Sequence, residues 1–455
     1  MENQPMDIVI VGAGPAGLYL ATTLAERGHR VAVVDRDPGP PRSGPWLRRG
    51  VMQFEHAHTF RGPVVDLLRE DMPEFIDRLV SAGASIPVTP DGRPAALLCR
   101  RSTFEATMRA MASGRPGVDV VTGHVDRTVD DGARVRGVYV DRRPVTADLV
   151  LDASGRASRF SAEIRPRLLG EPCGVAYVTR QYRLRPGADD PPTNSPIGLS
   201  LGFARYFAVA FVHDAGTFSI TIAHDGRDPR VRALRHAHVF ESVVRTIPRL
   251  REWIDADVAE SMTPVLPGGR LHNGYRGQCD ERGALATPGM ISVGDAVCTT
   301  TPLAGRGVTL ALAQASRLAA IIDRHGADVD SAAEEFDSWC STAIRPWFED
   351  HRHADAERLR RWSGGDVDLA RPLPSDLIVA AGAVDDRVRS GAEAYARMDA
   401  LPDSLVAVEP LARSVFASGW RPPAADGPVE LGEVCESAAA ARPARPAAST
   451  PPGAA

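Results

Sequence analysis

The sequence predicts an α/β chain: a parallel, helix-flanked sheet interleaved with an antiparallel-sheet domain, followed by C-terminal helices. Three observations predict it. Met6–Asp37 is a complete strand–helix–strand unit with glycines at GxGxxG spacing. From about Cys173 the chain turns to aromatic-rich runs, GVAYVTRQYRLRPG, ARYFAVAFVHDAG and TFSITIAHDG, separated by turn residues. It then returns to α/β character at GMISVGDAVCTTTPLAGRGVTLALAQASRLAAIIDRHG.

In the first unit, Ile8–Val11 is an apolar run short enough for a buried parallel strand. The turn GAGPAG, Gly12 to Gly17, follows. Leu18, Ala21 and Leu24 recur at helical spacing, Gly28 stands where a helix would stop, and Val31–Val34 leads to Asp35. In such a Rossmann-like unit one glycine makes the tight turn, one lets backbone approach a pyrophosphate, and one lets helix and strand pack closely. The helix start offers unpaired N–H groups to phosphates, and Asp35 is placed to accept ribose hydroxyls.

Beyond Asp35, DRDPGPPRSGPWLRRG is an irregular loop, and VMQFEHAHTFRGPVVDLLRE leads into a helix carrying Val64, Val65, Leu67 and Leu68. Short strands are expected within 84–98. STFEATMRAMAS, led by Arg101, forms an amphipathic helix with Phe104, Met108 and Met111 on one face. VDVVTG and ARVRGVYV read as strands, the second a hairpin partner of RPVTADLVLDAS. In the antiparallel sheet Phe207 and Phe211 share a face with Arg205 and Val209, while Tyr206 and Ala208 face the other way. A helical patch spans 238–255, and residues 331–362 are helical, with Phe336, Trp339, Trp347 and Trp362. His351 and His353 are expected on an exposed, charged helix face.

The expected organisation follows. Residues 1–165 form the first part of the dinucleotide-binding domain, with an excursion toward the substrate domain near 50–98. Residues 166–282 form the antiparallel substrate domain, and 283–330 complete the dinucleotide-binding domain. Residues 331–421 are helical, and the Ala/Pro-rich 422–455 is expected to be disordered.

Composition narrows the function. The 455 residues carry a net charge of −5, 44% hydrophobic and 24% charged residues, as in a globular enzyme without a nucleic-acid footprint. Every basic residue other than histidine is arginine, so Schiff-base and P-loop lysine chemistries are excluded. Six scattered cysteines show no metal-ligand spacing and suit a reducing compartment. The apolar N-terminus is read as strand and helix, not a signal peptide, and no stretch approaches a membrane span. A cytoplasmic enzyme without a metal is expected. Gln53, His56 and His58 form a Gln…His-x-His run that reads as a loop with two solvated or helix-capping histidines.

In the late segment Asp295 stands just past the apolar strand Ile291–Val293, and Pro302, Gly305 and Gly307 open a long helix. Strand ends of this kind face the cofactor crevice, where Asp295 could hold polyol hydroxyls. The helix start could face a ring edge that becomes negative on reduction, as a flavin's does.

GAGPAG with Asp35, the Gly294–Asp295 pair, and PLAGRG entering a helix resemble the flavoprotein monooxygenases of the p-hydroxybenzoate hydroxylase and squalene epoxidase type. The likeness covers roughly the first 320 residues. It implies that Gly12, Ala13, Gly14, Pro15, Ala16, Gly17, Asp35 and Arg36 bind the ADP half of FAD. It also implies that Asp295 binds the ribityl chain, that Pro302, Gly305 and Gly307 lie beside the isoalloxazine, and that Arg101 aims at the FAD, and it offers the cofactor edge as the alternative place for Gln53, His56 and His58. The middle motif departs from the pattern. In VLDASGRASR, Gly155 and Ser158 fit, but Ser154 stands where many of these hydroxylases have an aspartate that serves nicotinamide use, with Asp152 two residues upstream. NAD(P)H is therefore expected as reductant either directly or through a partner flavin reductase.

The chemistry implied is oxygen transfer to a small molecule through a C4a-hydroperoxide of the flavin, hydroxylating an aromatic ring or epoxidising an alkene in a setting such as antibiotic biosynthesis. No acid or base is obligatory there, and no catalytic side chain is assigned. The alternatives are a flavoprotein dehydrogenase or reductase, and an FAD-containing non-redox cyclase of a polyketide pathway.

Overall fold

A computed structural model describes residues 4–48, 50–156 and 159–441. Its centre is a five-stranded parallel sheet ordered Met290–Ser292, Leu149–Asp152, Asp7–Val11, Arg30–Asp35, Val118–Thr122. Alternation along Asp7–Val11 sends Ile8 and Ile10 into the main core and Val9 and Val11 into a second cluster with Val138, Val140 and Val150. Both faces are therefore covered, which is why this strand is an unbroken apolar run. Helices Pro15–Glu26, Arg101–Ser113 and Gly307–His325 cover one face. An antiparallel three-stranded sheet, Val125–Asp130, Val135–Val140 and Arg143–Thr146, covers the other.

The second large sheet is antiparallel, ordered Gly198–Gly202, Tyr206–Val212, Thr217–Asp225, Val175–Leu184, Ala259–Ser261, with Leu266–Gly268 also pairing Val175–Leu184. One face, with Tyr206, Ala208, Phe218, Ile220 and Ile222, packs on helix Ala237–Arg245. The opposite face carries Phe207, Val209 and Phe211, as alternation requires. Strands Leu169–Pro172, His272–Tyr275 and Cys298–Thr299 join the two regions. Of the strands expected within 84–98, Ala96–Leu97 forms and pairs with Phe60–Arg61. Among the described residues no helix is long and apolar enough to cross a membrane.

Two expectations are corrected. The tail is not disordered over 422–441, and 442–455 lie outside the described residues. Ala425 donates its amide to Gly202 O (2.8 Å), and Tyr206 Oη donates to Pro428 O (2.9 Å). Helix Leu431–Ala440 then buries Leu431, Cys435 and Ala438 against the substrate sheet's core. The 431/435/438 spacing is helical, but the alanine- and proline-rich composition around it hid the stripe. Truncation after Arg421 should therefore lower the melting temperature by several degrees, since a buried leucine alone contributes roughly 1.5–3 kcal/mol. Flavin content should hold. Equal melting temperatures would refute the docking.

The second correction is His351, expected exposed and in fact only 2% accessible on helix Arg345–Trp362. Neighbouring strands and C-terminal helices cover that helix on more than one side. Burial holds the imidazole well below the ordinary histidine range, with Arg306 and Arg358 adding to the effect.

Candidate functional site

The first glycine-rich turn lies at the carboxyl end of the parallel sheet. Gly12 has φ +107°, and a Cβ there would come within 2.5 Å of Ala153 O. A Cβ on Gly17 would stand 2.0 Å from Gly12 O. Both positions are closed by the protein's own backbone. Gly14 differs, because a Cβ there meets no protein atom within 4 Å. The helix behind it starts with Pro15 at its first position, so the amides of Ala16 and Gly17 lie in the first turn, where no intrahelical partner exists. Open space in front of free amides is a cradle for an anion. The buried Ala13 amide donates to Asp35 Oδ2 (2.7 Å), tying the turn to the end of the second strand.

Asp35 ends the second strand and anchors a chain of charges. Arg48 donates to Asp35 and to Glu105, and Arg101 pairs with Glu105. Arg48 and Glu105 are nearly or wholly enclosed, with side-chain exposures of 4% and 0%. A carboxylate accepts several hydrogen bonds, so Asp35 keeps capacity for a ribose hydroxyl. Arg101, the first residue of helix Arg101–Ser113, also meets His58 Nε2 at 3.2 Å. Arg36 is exposed, and its guanidinium lies over Gly50.

At the other end of the cleft, Asp295 follows strand Met290–Ser292 in a short turn begun by Gly294, φ +70°. Its side chain is open to the cleft although protein surrounds it. That enclosure raises its pKa above the ordinary carboxylate range, against the pull of Arg101 and Arg156. The loop Pro302–Ala304 turns through Gly305 in the left-handed region, φ +63°, where a Cβ would strike Thr59 Oγ1 at 2.6 Å. Helix Gly307–His325 begins immediately after, and a Cβ on Gly307 again meets nothing within 4 Å. From behind, Arg61 Nη2 donates to Ala304 O (2.6 Å). Arg306 stacks on Trp347 and Tyr395, with its Nη1 2.7 Å from Tyr395 Oη and 3.2 Å from Asp350. The C-terminal helices thus hold the loop in place.

The middle motif is closed to the cleft on its acidic side. Asp152 is buried and accepts from Ser154 Oγ (2.6 Å), Ser161 Oγ (2.6 Å) and Arg165. Ser154 is exposed above it, and Ser158 lies outside the described residues.

The antiparallel sheet is tied to the start of helix Arg101–Ser113. The guanidinium of Arg100 grips Asp214, whose carboxylate also accepts the Arg100 amide (2.6 Å) and Thr103 Oγ1 (2.8 Å). His56 stands edge-on to Tyr177 (4.8 Å between centroids), and Gln181 donates to Glu55 O. The Gln53–His58 segment therefore runs between sheet and cleft, and burial lowers the His56 pKa to about 4. The sheet face itself mixes Phe207, Val209 and Phe211 with a Thr179–Thr221 hydroxyl pair at 2.8 Å. Among the described residues, no group of three or more His, Cys, Asp or Glu could hold a metal.

Sequence reasoning missed Arg48, Glu105, Thr59, Arg61 and Arg306. Glu105 was within reach, since Arg101 and Glu105 stand at the i, i+4 spacing of a helical ion pair. Arg48 carried no signal, being one arginine in an irregular loop.

Residues 6–189 match the family model described as pyridine nucleotide-disulphide oxidoreductase. The methylenetetrahydrofolate–tRNA-(uracil-5-)-methyltransferase TrmFO of Myxococcus xanthus is 26% identical over 206 residues, 43% of each chain. The chain thus spans under half the length of that relative. The 6-methylpretetramide 4-monooxygenase of Streptomyces rimosus is 25% identical over 327 residues, 68% of this chain and 73% of that one. The solved flavin-dependent brominase Bmp2 superposes with a TM-score of 0.65 at 15% identity, covering 92% of this chain and 100% of its own. The glycine-rich unit thus lies inside the stretch that matches this family model, and the chain shares the fold of solved flavin-dependent enzymes such as this brominase.

Proposed function

We propose that the protein is an FAD-dependent monooxygenase that hydroxylates an aromatic ring or epoxidises an alkene of a small specialised metabolite. The observation that carries this reading is the open space at Gly14 and at Gly307, each at the start of a helix, with Asp35 and Asp295 at the ends of two strands of the parallel sheet and the antiparallel sheet tied to the start of helix Arg101–Ser113 through Arg100–Asp214. The ring-hydroxylation arm draws support from the Streptomyces relative, whose name is that of a 4-monooxygenase.

When bound and reduced, FAD supplies the electrons that activate O2. The chain's residues do the remainder. The first-turn amides around Gly14 would hold the pyrophosphate, with Asp35 on the adenosine ribose and Arg101 on the FAD. Asp295 would hold the ribityl hydroxyls. Pro302, Gly305 and Gly307 would bring the positive end of helix Gly307–His325 to the ring edge, where it stabilises charge gained on reduction. Phe207, Val209 and Phe211 would exclude water from the substrate side.

The test mixes chemically reduced holoenzyme with heavy-isotope-labelled O2 and a panel of phenols and polyenes. One labelled oxygen atom in product is expected. Desaturated product without label would identify a dehydrogenase, and turnover by oxidised enzyme without reductant would identify a cyclase.

The reductant follows from the middle motif. Asp152 is occupied beneath Ser154, Ser161 and Arg165, so no carboxylate of this motif faces the cleft. Free NADH or NADPH should therefore reduce the flavin slowly, with a partner flavin reductase or bound substrate needed for a useful rate. Ser154→Asp should speed reduction and leave FAD affinity intact. Rapid anaerobic bleaching of wild type in stopped flow by either nucleotide alone would contradict this.

A further inference from the structure

We propose that His58 is a positioning residue that holds the Arg101 guanidinium toward the cofactor cleft through its unprotonated Nε2. The inference rests on the FAD reading above and assigns a role to the His-x-His run.

Partner chemistry determines the tautomer. His58 Nδ1 lies 2.9 Å from His56 O, which can only accept, so Nδ1 carries the hydrogen. Nε2 lies 3.2 Å from Arg101 Nη1, which can only donate, so Nε2 presents its lone pair. Both ring nitrogens are thereby committed, and a second proton has no place. An imidazolium would set N–H against N–H. Among the described residues Arg101 has two hydrogen-bond acceptors, Glu105 at Nε and His58 at Nη1, and on the FAD reading its other donors serve the cofactor. Glu105 alone fixes one edge of the guanidinium; His58 fixes its rotation about that edge. The groups facing His58 favour the neutral ring. Burial opposes a positive charge most, and Arg101 from the helix, His56 on its own loop and His213 from the antiparallel sheet add to it, against the His56 carbonyl. Glu105 faces Arg101 and is engaged by Arg48 and Arg101, and Asp295 acts on Arg101 across the cleft.

The proton linkage has a definite sign. Protonating His58 would remove the acceptor from Arg101 and repel it, and because the ring is held neutral well to the acid side of the ordinary histidine range, the contact is intact near neutral pH. Glutamine can donate to His56 O and accept from Arg101 without titrating. Leucine can do neither.

The experiment measures FAD dissociation constants by equilibrium dialysis, across pH 5–8, for wild type, His58→Leu, His58→Gln, Arg101→Met and the His58→Leu/Arg101→Met double variant. Apoprotein melting curves accompany them. Expected are about a tenfold weakening in His58→Leu, return to within about threefold in His58→Gln, and a double variant no weaker than Arg101→Met, the non-additivity of coupled residues. Additive losses, wild-type affinity in His58→Leu, or wild-type affinity in Arg101→Met would each overturn the proposal. A wild-type protein that binds no FAD would instead overturn the cofactor reading, and this inference with it.

Discussion

Replacing Gly14 with valine should abolish FAD retention while the apoprotein melts where wild type does. The backbone at Gly14, φ −84° and ψ −177°, is one any residue adopts, and a Cβ there touches no protein atom within 4 Å. The substitution thus costs the fold little and acts on whatever fills the open space before the helix. Gly17→Ala is the contrasting variant. Its Cβ would stand 2.0 Å from Gly12 O, so strand and helix must separate and stability itself falls. Flavin absorbance per chain and a thermal melt on both variants check the pair. Full flavin retention in Gly14→Val would remove the pyrophosphate from this turn.

Arg48→Met should destabilise the protein by about 3–5 kcal/mol, the usual cost of stranding a buried charge by removing its partner. Glu105, wholly enclosed, would keep only Arg101, and Asp35 would lose the guanidinium that orients it. FAD affinity should fall as well if, as we propose, the same carboxylate holds the adenosine ribose. Adding Glu105→Gln to Arg48→Met should recover part of the stability, since the stranded charge is then gone. Denaturant midpoints for wild type, single and double variants measure both effects. An unchanged midpoint in Arg48→Met would show that the buried chain of charges contributes nothing.

The strand–helix–strand half of the candidate site was legible because its geometry is local in sequence. Gly12, Gly14, Gly17 and Asp35 lie within one strand–helix–strand unit, and spacing alone places them together. Asp295 and the Gly305 turn were legible for the same reason. What stayed hidden was built across the fold. Arg48 meets Glu105 over 57 positions, Arg61 meets the Gly305 loop over 243, and Arg306 reaches Tyr395 over 89. No periodicity records such pairs. The tail failed for another reason, because composition outvoted a short helical stripe at Leu431, Cys435 and Ala438. His351 failed because one helix carries charge on a face that neighbouring elements nonetheless cover.

The most direct test of the central claim is the absorption spectrum of the purified protein, followed by chromatography of what denaturation releases. A yellow protein releasing FAD, near one per chain, is the result predicted. A colourless protein that also fails to take up added FAD, or one that releases FMN, would contradict it.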